Sequence, residues 1–342
     1  MELIWFCLVS LTLAVYVVLD GFDLGAGIIH LLVARSESER CQILNTIGPV
    51  WDGNEVWLLA GGGTLYFAFP PLYAAAFSGF YLALMMVLWL LMLRGISIEF
   101  RNHIDNAVWK PFWDVVFGGA SALLALVFGI ALGNVVRGVP LDQSGFFFVP
   151  LWVDLRVGGE AGIIDWYTVL VGLAAFFTLA MHGCMWVCLK TTGAVLERSR
   201  VFGRRVWWLV LLLTFVITYF SFRIQPNLGA RFGAYPWGFI FPALALSGLI
   251  AVKILSARRS DPHAFLASSL YIAGMLCSAA FGLFPYVLPS NGKVDYGLTV
   301  YNAAAPHYGL VAGLYWWIPG MLLATGYSVF VYRRLAGKVH AS

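Results

Sequence analysis

Apolar residues run in long, nearly unbroken stretches along this chain, and polar residues gather in short segments between them. A stretch of roughly 20 apolar residues is long enough to cross a bilayer as a helix. Nine such stretches predict nine spanning helices, at about 3–33, 49–70, 72–94, 112–136, 162–189, 205–223, 236–256, 263–288 and 306–332. The fold class read from this pattern is an all-α polytopic membrane protein, a single transmembrane domain over 1–342. Asp20-Gly21 in the first span and His182-Gly183 in the fifth sit at similar depths. That hints at two related four-helix bundles, about 1–140 and 141–288, followed by a ninth helix at about 306–332. The first span begins at Leu3 with no basic region before it and no small-residue cleavage site after it, so it reads as a retained helix rather than a signal peptide.

The polar punctuation fixes orientation. Alternate connections hold Arg35 and Arg40; Arg94, Arg101 and Lys110; Lys190, Arg198, Arg200, Arg204 and Arg205; Lys253, Arg258 and Arg259; and Arg333, Arg334 and Lys338. The opposite connections hold only Arg137, Arg156, Arg223, Arg231 and Lys293 of the 21 basic residues. Positive charge stays on the cytoplasmic side, which predicts the N-terminus outside and the C-terminus in the cytoplasm. The segment 36–46 is short and charged, and reads as a surface helix capped by Ser36 with Glu39 as its partner. The connection at about 137–161 carries three consecutive Phe and reads as an outer loop lying on the interface or on a partner.

Composition agrees. Of the 342 residues, 61% are hydrophobic and only 11% charged, against about 25% charged in an ordinary soluble domain, and the mean hydropathy is +0.83. A soluble enzyme, a nucleic-acid-binding domain and a disordered chain are excluded. The five Cys form no CxxC pattern, and those in apolar runs read as small hydrophobes. Gly61-Gly62-Gly63 lies inside a span, not after a strand, so it is no phosphate loop.

Charged residues within spans are costly and call for a reason. The first span carries Asp20 and Asp23 at i, i+3, on one helix face, among Gly21, Gly25 and Gly27 that let another helix approach. The second opens with Trp51-Asp52-Gly53-Asn54-Glu55-Val56-Trp57, a second acidic i, i+3 pair. Arg94 ends the third predicted span and Asp114 begins the fourth. Asp23 lies roughly 15 Å above the inner end of its helix. Asp23, Asp52, Arg94 and Asp114 thus belong to the inner half of the first four helices, with Asp20 and Glu55 beside them. They read as a proton path or charge cluster leading in from the cytoplasm. The alternatives are an interfacial salt-bridge cluster for Asp52, Arg94 and Asp114, and helix-helix hydrogen bonding for Asp20 and Asp23. Trp51, Gly53, Asn54 and Trp57 are candidates for contact with neighbouring helices or a partner, although aromatic belts alone place Trp at interfaces. Only His30, His182 and His307 lie in or near spans, and no span pairs two His across a haem diameter. The chain therefore reads as holding no complete haem site and no metal.

These motifs also carry a resemblance. Asp20-Gly21-Phe22-Asp23-Leu24-Gly25, Pro49 to Trp57, and Ala74-Ala75-Ala76-Phe77-Ser78-Gly79-Phe80-Tyr81 are similar to the signature of subunit II of the cytochrome bd quinol oxidases, including the cyanide-insensitive oxidases. Gly133-Asn134 with Gly138-Val139-Pro140, and Phe284 to Ser290, fit the same pattern. The resemblance implies a partner, a homologous subunit I carrying three haems, two of b-type and one of d- or b-type. It implies a bacterial inner-membrane complex that oxidises quinol and reduces O2 to water. It implies that this chain supports assembly and cytoplasmic proton uptake through acids at Asp23, Asp52 and Asp114 and through Arg94. A quinone held as a structural lipid and a small single-helix subunit are further components it implies. A different class remains as the alternative: an ion-coupled secondary transporter using Asp20, Asp23 and Asp52. A haem-binding cytochrome built on His30, His182 or His307 is the third.

Overall fold

The structure, a computed structural model, describes residues 1–158, 162–292 and 296–340. Lys293, counted above among the outer cations, lies outside them. Within these residues the chain is almost wholly helical, as a lipid environment demands when every backbone polar group must be satisfied internally. In order come α1 (Glu2–Val33), α2 (Glu37–Ile47), α3 (Trp51–Ala68), α4 (Pro70–Gly79), α5 (Tyr81–Phe100), α6 (Trp109–Arg137), α7 (Trp166–Lys190), α8 (Gly193–Ile224), α9 (Pro226–Ala234), α10 (Ile240–Ala257), α11 (Asp261–Leu283) and α12 (His307–Arg334). A short antiparallel pair, β1 (Tyr286–Leu288) and β2 (Leu298–Thr299), lies between the last two helices.

Eight helices among the described residues are long and apolar enough to cross a membrane, one fewer than the apolar pattern predicts. The difference is α3, whose first turns carry Asp52, Asn54 and Glu55 within only 18 residues. The third predicted span also changes. Instead of one helix over 72–94, Pro70 and Pro71 start α4, the backbone leaves helical geometry at Phe80 (φ −96°, ψ 22°), and α5 then continues to Phe100. Arg94 therefore sits six residues inside α5 rather than at its end. The sixth predicted span grows at its start, because α8 begins at Gly193 and its charged first turns extend past the apolar part.

α1 is the axis of the bundle. It crosses α7 where Gly25 and Gly183 face each other. A β-carbon on Gly25 would overlap the Leu179 carbonyl, and one on Gly183 would overlap the Gly25 backbone. Contact this close between helices needs residues without side chains. Around the crossing, Phe22 stacks on Trp186 at 4.0 Å between ring centroids, and Phe265 of α11 lies flat against His182 at 4.9 Å.

The two ends of the bundle differ. At one end, Arg137 closes α6 against the start of α7. Its guanidinium pairs with Asp165, which also caps α7 by accepting from Tyr167 N at 2.8 Å and Thr168 N at 3.0 Å. At the other, basic end lies α2, with the capping box expected of Ser36 and Glu39. Arg200 of α8 reaches Asp261 of α11 there at 2.9 Å. The C-terminal tail folds back onto the same end, where Gln42 Nε2 donates to Val339 O at 2.8 Å and Lys338 Nζ to Thr191 O at 3.0 Å.

Candidate functional site

The inward face of α1 meets α3, α5 and α6 through polar groups. Asp20, Asp23 and Arg94 are each completely buried. Arg94 reaches Asp20 with both terminal nitrogens, Nη1 at 2.8 Å from Oδ2 and Nη2 on Oδ1. This fork-on-carboxylate geometry is the strong form of a buried ion pair. Ser97, one turn on, donates to the Arg94 carbonyl at 2.6 Å. The hydroxyl of Tyr16, also buried, lies beside Asp20 without a hydrogen bond of ordinary geometry.

Asp23 makes no ion pair among the described residues. Its Oδ2 accepts from Asn54 Nδ2 at 2.7 Å, while its buried Oδ1 has no partner. Asn54 is in turn held by Tyr332 of α12, whose hydroxyl donates to Asn54 Oδ1 at 2.7 Å. A single guanidinium therefore serves the ion pair, and a neutral amide serves the second acid. Glu55 is half-buried within the field of Arg94, with Oε2 buried and unpartnered. Asp52 stands apart, exposed on the outer side of α3. Trp51 covers Gly95 of α5, Asn54 and Trp57 are buried, and Gly53 is exposed.

Asp114 joins a second group, nearer the basic end. His30 Nε2 lies 2.7 Å from its Oδ1. Arg101 reaches it through Nε at 2.6 Å and Nη2 at 3.2 Å, and Arg40 at 3.3 Å. Arg101 also donates to Glu37 of α2 at 2.8 Å. Burial tends to push the Glu37 carboxyl up, but the hydrogen bond and charge of Arg101 outweigh it and hold Glu37 below the usual carboxylate range. That tie between α2 and the bundle is therefore present at neutral pH and weakens as pH falls through the lowered value.

The structure thus divides the expected residues. Asp20, Asp23, Arg94 and Glu55 lie together, Asp114 belongs to the neighbouring His30–Arg101 group, and Asp52 is exposed at the edge of the first, within electrostatic reach of Glu55. Arg94 and Asp114 do not pair. His30, Arg101, Arg40 and Tyr332 complete these groups without having been assigned a part in them. A signal for His30 was present, because it repeats the helix face of Asp20 and Asp23.

Two of the three histidines in or near spans are already engaged within the bundle. His182 uses both ring nitrogens, on Ser268 Oγ at 2.7 Å and Val18 O at 3.0 Å. His30 is bound to Asp114 and packed edge-on against Phe117. No group of three or more His, Cys, Asp or Glu able to hold a metal ion occurs among the described residues.

With this geometry in place, comparison with known proteins is informative. The family model described as cytochrome bd terminal oxidase subunit II matches residues 1–335. A probable cytochrome oxidase subunit 2 of Haemophilus influenzae is 32% identical, across 100% of this chain and 96% of its own length. The cytochrome bd-I ubiquinol oxidase subunit 2 of Escherichia coli K12 is 28% identical, across 99% and 95%. The cytochrome bd ubiquinol oxidase subunit 2 of Bacillus subtilis is 30% identical, across 90% and 87%. In fold, the bd oxidase structure from Geobacillus thermodenitrificans superposes with a TM-score of 0.75 over 98% of both chains, at 19% identity. The chain belongs to the cytochrome bd terminal oxidase subunit II family, a subunit of an oxidoreductase complex and a multi-pass protein of the bacterial inner membrane.

Proposed function

We propose that this chain pairs with a haem-bearing subunit I, and that the complex couples quinol oxidation to reduction of O2 to water. In this reading the haems of subunit I supply all the electron chemistry, and this chain supports assembly and brings protons in from the cytoplasm. The basic end faces the cytoplasm, where the excess of Lys and Arg belongs.

One observation carries the reading: of the two fully buried carboxyls on α1, Asp20 is ion-paired to Arg94 and Asp23 is held by the neutral amide of Asn54. Arg94 fixes Asp20 in a buried ion pair. Asp23, held by a neutral amide with one oxygen free, is the group placed to take up and release a proton. Asp114 and its arginines form the inner mouth. Glu55 and Asp52, on successive faces of α3, lead from the interior to the exposed side on which subunit I would lie.

Asp23→Asn and Asp52→Asn should each slow quinol-driven oxygen uptake by about tenfold or more, with the reduced-minus-oxidised haem spectrum unchanged. Full turnover across a broad pH range, at normal abundance of the complex, would remove the substituted acid from the path. Loss of the complex in both would assign these acids to assembly instead. Purification in mild detergent offers a separate test. Haem bands should accompany the chain only when a second polytopic subunit copurifies. A spectrum from the chain expressed alone would overturn the division of labour.

A further inference from the structure

Tyr16, Asp20, Asp23, Gly27 and His30 follow one another along α1 at intervals of four, three, four and three residues, and all five are buried. At 3.6 residues per turn they form one narrow stripe. The stripe meets Arg94 of α5 at Asp20, Asn54 of α3 at Asp23 and Asp114 of α6 at His30. At Gly27 the space of the missing side chain is filled from α6, since a β-carbon there would overlap the hydroxyl of Ser121. Ser121 therefore stands in the stripe, between His30 and Asp23.

Three consecutive levels of this stripe hold a buried polar atom without a hydrogen-bond partner: His30 Nδ1, Ser121 Oγ and Asp23 Oδ1. Each such atom is costly and unusual, and three in succession call for a common use. By the helical rise the levels lie about 4.5 and 6 Å apart along α1, gaps that one bridging water closes.

We propose that His30 and Ser121 carry protons from Asp114 to Asp23. The inference rests on the proton-uptake reading and adds to it the residues that link its two acids. A proton delivered from the solvent side to Asp114 Oδ1 passes on to His30 Nε2, which returns Asp114 to the carboxylate that Arg101 and Arg40 hold. The ring releases the proton from Nδ1 towards Ser121. The hydroxyl accepts it and gives up its own towards Asp23 Oδ1. One proton enters and one leaves, no electrons move, and a flip of the imidazole resets it. The charged groups facing His30 support an inlet here. Asp114 touches it directly, Arg40 and Arg101 hold Asp114, and Glu37 ties Arg101 and Lys110. Cys41 lies against Arg101 at 3.5 Å. Arg40 is partly exposed, at 27%, so solvent reaches the group from that side.

The test uses the assembled complex in native membranes. Oxygen uptake driven by quinol is measured across pH in H2O and D2O for His30→Gln, Ser121→Ala and Asp23→Asn. Both His30→Gln and Ser121→Ala should lower turnover at least about tenfold, more steeply as pH rises, and enlarge the solvent isotope effect. Haem content and the KM for quinol should hold. A purely structural role would lower abundance without moving the isotope effect. Should His30→Gln fail to accumulate, Ser121→Ala decides, because it removes one oxygen and leaves the packing. Unchanged turnover and isotope effect in Ser121→Ala would overturn the proposal. If Asp23→Asn is slow in that case, proton uptake through Asp23 stands and only the link fails. If Asp23→Asn is also unimpaired, the uptake reading fails with it.

Discussion

Asp20→Asn is expected to strip the membrane of folded chain. The substitution keeps the size of the side chain but removes the only carboxylate that Arg94 grips with both nitrogens. Arg94 is completely buried, so its charge would lose the carboxylate bonded to it and keep only the more distant fields of Asp23 and Glu55. Removing one partner of a buried pair costs about 3–5 kcal/mol, most of it the penalty of the stranded charge. That is a large fraction of the ~5–15 kcal/mol by which a folded protein is stable. Arg94→Leu should be comparably damaging, because it strands Asp20. The double substitution should recover much of the loss, since two neutral groups need no mutual compensation. Thermal unfolding and yield of the complex in mild detergent would check the cycle. Normal yield and melting temperature for Asp20→Asn would show that the pair does not hold α1 to α5.

Gly183→Ala should have the next largest effect. One methyl there must occupy space already held by the Gly25 backbone. Neither helix offers a flexible side chain that would yield, so α1 and α7 must move apart and break the packing of Phe22 on Trp186. We expect a loss at or above the upper end of the about 1–3 kcal/mol typical of overpacking. Gly119→Ala is the control. It lies on an exposed face of α6 with nothing within 4 Å of the new carbon, and should be neutral or gain a few tenths of a kcal/mol from helix propensity. Equal melting temperatures for the two variants would contradict the close crossing.

Much of the architecture was legible because lipid makes long apolar helices obligatory. The capping box at Ser36 was legible because it is local. So was the sharing of one helix face by Asp20 and Asp23, since spacing alone places them. Arg94 was not. It stands seven residues before Arg101, so it resembles the basic flank of a span, and hydropathy cannot tell a charge at the end of a helix from one facing an acid across it. The partners of Asp114 were hidden for the same reason: His30, Arg40 and Arg101 come from three other segments, and only packing brings them to one carboxylate. The break at Phe80 was masked by apolar residues on both sides. Gly79, directly before it, was its local sign.

The hydroxyl of Tyr332 bears on how the molecule is made. It is the group that satisfies the Asn54 carbonyl oxygen, and Asn54 is the group that holds Asp23. Asp23 and Asn54 are synthesised early, whereas Tyr332 follows Asn54 by 278 residues. Until then α1 and α3 sit in the translocon or the bilayer with an incomplete polar contact, and their arrangement stays provisional. Arrival of α12 closes that contact, and the segment after it lies over Gln42 and Thr191 at the basic end. The polar contact around Asp23 is thus completed only once α12 has been made, long after α1 and α3.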